Sequence, residues 1–202
     1  MVGEFSRVVK TRCAWCGDDP LYVRYHDEEW GVPLHDPRAL FELLMLEGMQ
    51  AGLSWITVLR KRAHLRDVFF GFEPARLARM TDSEFDRAVA DPGVIRHRGK
   101  IRSLVTNARA YLTLERETGA GEYLWSFVGG APVRNRWRST TEVPASTPES
   151  SAMSRALKDR GFVFVGSTIC YAFMQAAGMV DDHLVACFRH GEATADERCA
   201  SH

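Results

Sequence analysis

The sequence lacks most of the features that sort a chain quickly. No apolar run approaches the ~20 residues of a membrane-spanning helix. Residues 1–12 hold no long apolar stretch, so no signal peptide is expected. Net charge is missing too: Lys+Arg and Asp+Glu both total 26, so the overall balance names no partner. There is no internal repeat and no low-complexity linker. Only Phe162-Val163-Phe164-Val165-Gly166 has the composition of a strand, and one such run makes no sheet. Cysteine is sparse: five residues, an odd number, scattered through 202. A chain of this length buries a core without disulfide staples, which points to a reducing, cytoplasmic compartment where Cys and His together mean metal.

What is present is helical grammar almost throughout, and an all-α fold is expected. Asp36 followed by Pro37 reads as an N-cap and first helical residue, with apolar positions at helical spacing through Leu44. Gly48 and Gly52 predict a break before a second helix through Trp55 to Leu59. Thr81 with Glu84 is a capping box, and that helix stops near Asp91-Pro92-Gly93. A long helix is predicted from Gly99 to Glu117, closed by Gly119. Ser146 with Glu149 reads as another capping box, and a last apolar helix runs up to Gly178. The stretch from Gly129 to Ser150 is the one long irregular segment, and such segments are often functional.

Three local patterns carry chemistry. Cys13 and Cys16 stand at C-x-x-C spacing, with His26 downstream, and His183 and Cys187 stand four apart, on one face of a helix. Cys13, His26, His183 and Cys187 together make a Cys2His2 set tying the two ends of the chain. A Cys13–Cys16 knuckle is the rival, although Cys170 and Cys199 do not supply a second pair. Buried thiols and ordinary histidines remain the bland alternative. Next, Glu47 lies on an apolar helix face, with Trp15, Tyr22, Tyr25, Trp30 and Trp55 in nearby elements. A carboxylate among aromatic walls suits a flat cationic ligand. Finally, no acid falls between Asp91 and Glu115, while Arg96, Arg98, Lys100, Arg102 and Arg109 do. Basic side chains around a glycine turn and a helix start form an anion seat fitted to a nucleic-acid phosphate.

In order along residues 13–187, "DPLYVRYHDEEWGVP", "LFELLMLEGMQAGLSWITVL", "VIRHRGKI", "NARAYL", "WSFV" and "FVGSTICYAFMQAAGMVDDH" resemble the 3-methyladenine DNA glycosylase I family. The sequence departs from it at Met49, where a second glutamine beside Gln50 is expected. The resemblance implies a helix-hairpin-helix DNA glycosylase fold, with the hairpin near residues 83–112. It implies one structural Zn2+ per chain, held by Cys13, His26, His183 and Cys187. It implies that Glu47 reads the excised base, that Trp55 stacks on it with Tyr25 beside it, and that Trp15 and Trp30 complete the pocket. Gly52 and Leu53 would carry the plug that enters the base stack, and Arg96, Arg98, Gly99 and Lys100 would contact DNA. The expected layout is a single domain over 13–188, with flexible segments at 1–12 and 189–202.

The chemistry implied is base excision. The partner is double-stranded DNA with alkylated bases, the product is free 3-methyladenine, and the enzyme is a monomer at the bacterial nucleoid. A base methylated at N3 is cationic and leaves as a neutral molecule, so the glycosidic bond is already weak. No acid lies between Asp91 and Glu115 to stabilise a sugar cation, which implies catalysis by binding and positioning. Lys100 as a Schiff-base nucleophile is disfavoured against a phosphate contact. The competing class is a zinc-stapled helical module that binds nucleic acid without chemistry. A buried Glu47 among aromatics separates the two, because a pure binder has no need of it.

Overall fold

Several helices begin where a polar side chain takes an orphan amide. The computed structural model describes residues 10–192 and is helical apart from one minimal sheet. Helix α1 (Pro20–Glu28) starts on Asp19, which accepts from the amides of Leu21 and Tyr22. Helix α2 (Pro37–Gln50) starts on Asp36, which accepts from Ala39 N. Both place proline in the first turn, where its missing N–H costs nothing. Then follow α3 (Trp55–Val68), the short α4 (Pro74–Leu77) and α5 (Asp82–Ala90). Helix α5 opens on the Thr81/Glu84 capping box. Next come α6 (Arg98–Thr118), α7 (Ala120–Ser126), α8 (Pro148–Asp159) and α9 (Ser167–Ala176).

Two expectations need correction. The cap of α8 is Thr147 with Ser150, not Ser146 with Glu149. Pro148 decides this: proline is favoured at the first helical position, and the residue before it becomes the cap. Residues 162–166 form no strand. Phe164 has φ +57°, and Asn107 holds Val163 by both its amide and its carbonyl, so the backbone bonds of this run go to a side chain. The sheet lies elsewhere, with β1 (Val133–Arg134) parallel to β2 (Val180–Asp181). The second helix also runs well past Leu59, to Val68.

Helix α2 is the axis of the molecule, packed by α3, α6, α7 and α9. Leu40, Phe41, Leu44, Met45, Leu46 and Met49 are all buried, and a helix apolar nearly all round belongs in the interior. That placement carries Glu47 inside with it. The end of α9 closes against the 32–33 segment: Leu34 N donates to Ala177 O, and an added Cβ at Gly178 (φ +68°) would stand 2.5 Å from Pro33 N. Only glycine fits there.

Helix α5, residues 91–97 and α6 run from 82 to 118, across and slightly beyond the region where the hairpin is expected. The segments expected to be flexible, 1–12 and 189–202, fall mostly outside the described residues. Of their described parts, Thr11 O accepts from Phe188 N, Arg12 grips Asp27 with two nitrogens, and Arg189 pairs with Glu192.

Candidate functional site

The four proposed metal ligands come from the two ends of the described chain and converge in the interior. The ligand atoms of Cys13, His26, His183 and Cys187 lie within 4.8 Å of one another, and all four residues are buried. Cys187 Sγ is 3.5 Å from His26 Nε2 and 3.6 Å from His183 Nδ1, and Cys13 Sγ is 3.7 Å from His183 Nδ1. The remote ring nitrogens are tied. His26 Nδ1 is 2.8 Å from Asp27 Oδ1, and His183 Nε2 is 3.2 Å from the carbonyl of Trp30. Those acceptors set the N–H on the far side of each ring and leave a lone pair facing the cluster, as metal-binding imidazoles require. Asp27 is itself oriented by Arg12. The Cys187 thiol is pulled toward its ionised form, most by Cys13 and then by both imidazoles against its burial, while Cys13 is pushed the other way by Cys187 and by burial. The donor set fits a four-coordinate metal. Cys16 has no part in it: its thiol turns back to the carbonyl of Cys13.

Beside this cluster opens a cavity of about 370 Å3. Its inner wall is aromatic. Trp15 meets Tyr22 at 5.0 Å and Trp30 at 4.9 Å between ring centroids, and Tyr25 meets Trp55 at 5.4 Å. All five rings foreseen near Glu47 line it, and Glu47 lies at its base. Glu47 is 3% exposed, and its Oε2 is buried without a hydrogen-bond partner, as is Nε1 of Trp55. Burial alone pushes the Glu47 carboxyl up to about 8. Two unsatisfied polar atoms on one cavity wall, one of them in a carboxyl, mark a place built to receive polar groups from outside.

The opposite wall was not foreseen residue by residue. Thr140, Val143, Pro144 and Ala145 come from the irregular segment, and Thr168, Tyr171 and Gln175 from α9; Asp182 joins them. The available signal was the length of that segment. Its residues carry no pattern that reveals where they land.

The turn between α2 and α3 presents Gly52 at φ +77° and Leu53 at 40% exposure, a large apolar side chain held out in water. Nearby, the hairpin exposes Arg96 and Arg98, and α6 starts with His97 Nδ1 accepting from Lys100 N. The amides of Arg98 and Gly99 precede any intrahelical partner and so remain available to an anion. Arg98 and Arg102 lie over the Phe85 ring, at 4.9 and 3.9 Å, which props them on the surface.

Lys100 is the correction. Its side chain is buried, not aimed at phosphate, and Nζ donates to the carbonyls of Met49 (2.9 Å) and Ala51 (2.5 Å). The end of α2 leaves carbonyls unpaired at its negative pole, and an ammonium there satisfies them. This fastens the hairpin helix to the Gly52–Leu53 turn. It also occupies the amine that a Schiff-base mechanism would need.

Comparison with known proteins identifies the family. Residues 15–190 match the family described as methyladenine glycosylase. The chain is 53% identical over 180 residues to DNA-3-methyladenine glycosylase 1 of Escherichia coli K12, covering 87% of this chain and 95% of that protein. A crystal structure of a 3-methyladenine DNA glycosylase I superposes with a TM-score of 0.87 at 52% identity, over 89% of this chain and 100% of that one. Another glycosylase of this type, a single-residue variant solved in complex with 3-methyladenine, superposes with a TM-score of 0.86 at 37% identity, over 90% and 98%.

Proposed function

This chain belongs to the methyladenine glycosylase family, and from that premise we propose how its own residues carry out the reaction. It is a DNA base-excision glycosylase that hydrolyses the N-glycosidic bond of 3-methyladenine. The substrate nucleotide leaves the base stack and its base enters the aromatic cavity. Trp55 and Tyr25 take its faces, while Trp15 and Trp30 close the side nearest the metal cluster. Leu53, raised on the Gly52 turn, fills the space the base vacates. Arg96, Arg98 and the Gly99 amide hold backbone phosphate.

Glu47 supplies discrimination. In the empty pocket its carboxyl is protonated up to about pH 8 because burial disfavours the charge. A cationic base placed against it favours the carboxylate, and the partnerless Oε2 then accepts from the exocyclic amine. Neutral adenine brings no charge to offset ionisation. The weak glycosidic bond of the cationic base needs little further help, and no acid falls between Asp91 and Glu115, across the hairpin turn and most of α6. Asp91 at its start accepts from Gly93 N and pairs with His64, and Glu115 beyond it accepts from Ala120 N. With Lys100 engaged by carbonyls, the reaction is monofunctional, without lyase chemistry.

The metal is Zn2+. Tetrahedral zinc with ordinary Zn–S and Zn–N bonds separates S from N by ~3.5 Å, close to the spacings in the cluster. Four protein ligands leave no open position, so the ion cross-links the chain and performs no chemistry. The site is complete within one chain, which supports action as a monomer, and its substrate places it at chromosomal DNA in the cytoplasm.

The observation that carries the reading is the buried, unpartnered Oε2 of Glu47 on the cavity wall. Its test compares Glu47→Gln with wild type on methylated DNA and on undamaged duplex. Release of 3-methyladenine is expected to fall about a hundredfold in kcat/KM, with undamaged-duplex affinity unchanged. Parallel losses in both would remove Glu47 from base recognition.

A further inference from the structure

Among the described residues that line the base pocket, Glu47 and Asp182 are the only acids, and none is lysine, arginine or histidine. Glu47 is accounted for above, and Asp182 is not. It is 3% exposed, and its oxygens accept four hydrogen bonds. Asn135 Nδ2 (2.6 Å) and Trp137 Nε1 (2.8 Å) donate to Oδ1; Tyr171 OH (2.6 Å) and Gln175 Nε2 (2.8 Å) donate to Oδ2. Two amide N–H groups and an indole N–H can only donate, so the arrangement is built around an acceptor-only carboxylate. The nearby cationic side chains go elsewhere: Arg134 and His190 approach Asp181 instead. Four neutral dipoles stabilise a buried charge without cancelling its field. The aromatic walls keep the local dielectric low, so the negative potential reaches into the cavity.

We propose that Asp182 is a specificity-determining residue, a fixed carboxylate whose field favours a cationic base over a neutral base of the same shape, independently of Glu47. The inference rests on reading the cavity as the base site. It divides recognition between two acids. Glu47 presents a buried oxygen with no partner, whereas both oxygens of Asp182 are clamped by donors. The same clamp seats the irregular segment: Asn135 and Trp137 precede the stretch that supplies Thr140 to Ala145 to the cavity wall.

The test uses duplex DNA carrying 3-methyladenine, and the same duplex carrying a neutral isostere with carbon in place of N3 beneath the methyl group. Half-saturation in single-turnover excision reports the cationic base, and equilibrium binding reports the isostere. Asp182→Asn is expected to weaken the cationic base about tenfold or more while leaving the isostere and undamaged duplex unchanged. Equal weakening of cationic base and isostere would reduce Asp182 to a loop anchor and overturn the proposal. Should Asp182→Asn fail to fold, Glu47→Gln carries the test. About a tenfold preference for the cationic base is expected to survive there, and loss of all preference would overturn the proposal. Wild-type protein that releases no 3-methyladenine from methylated DNA would sink the base-site reading itself, a distinct result.

Discussion

The metal cluster and the base pocket are neighbours built partly from the same stretch, residues 13–30, yet they treat polar atoms in opposite ways. In the cluster every ligand has a partner and every imidazole a second one, Asp27 for His26 and the Trp30 carbonyl for His183. In the pocket, Glu47 Oε2 and Trp55 Nε1 are buried with none. A closed set of donors and acceptors holds a structure together. An open set costs stability in the free protein and recovers it from a ligand. Cys13 belongs to both, as a cluster ligand that also lines the pocket.

Breaking the closed side gives the largest effect. Cys13→Ser is expected to lose the metal and more than about 3 kcal/mol of stability, measured by metal content and chemical denaturation. Stoichiometric zinc retained in that variant would remove Cys13 from the ligand set. The open side has the opposite sign. Glu47 has an ordinary carboxyl value of 4.5 when unfolded and about 8 when folded. Between those values the folded chain holds the extra proton. The stability from this group is therefore full below pH 4.5, falls as pH rises, and is gone above about 8. Relative to Glu47→Gln, wild type should lose a few kcal/mol across that window, on the order of 5. A difference in denaturation midpoints that stays constant with pH would show that Glu47 is not buried as a lone acid.

Smaller effects sharpen the boundary between fastening and binding at the hairpin. Lys100→Met keeps the apolar stem and removes two carbonyl contacts. It should cost about 1–2 kcal/mol of stability and leave the salt dependence of DNA affinity unchanged. A shallower salt slope in that variant would restore Lys100 as a phosphate contact. Arg96→Ala should do the converse, reducing the slope by about one with stability intact. An unchanged slope would mark Arg96 as a solvated surface residue.

What was legible in the sequence is what depends on near neighbours. Asp36-Pro37 and the Thr81/Glu84 box specify helix starts within four residues, and both stand as read. His183 and Cys187 have the spacing of one helix face, but 183–187 is a turn and not a helix; their meeting with each other and with Cys13 and His26 is a tertiary event, foreseen only as a chemically complete donor set. Glu47 was legible because a carboxyl on an apolar face contradicts its surroundings. Lys100 was misplaced because its partners are backbone carbonyls of Met49 and Ala51, half a hundred residues upstream, and carbonyls leave no mark on a sequence. Asp182 and the wall from Thr140 to Ala145 were missed for a like reason: an irregular segment has no period, and four neutral donors leave no charge pattern.

The ligand set also has a schedule. Cys187 meets His26 across a separation of 161 residues. On a ribosome adding about 5–20 residues per second, the first two ligands wait roughly 10–30 s for the second two. The bond that locks the ends can therefore form only after nearly every helix has been synthesised. A metal held by all four residues would be captured last in the life of the nascent chain, once all nine described helices have been made.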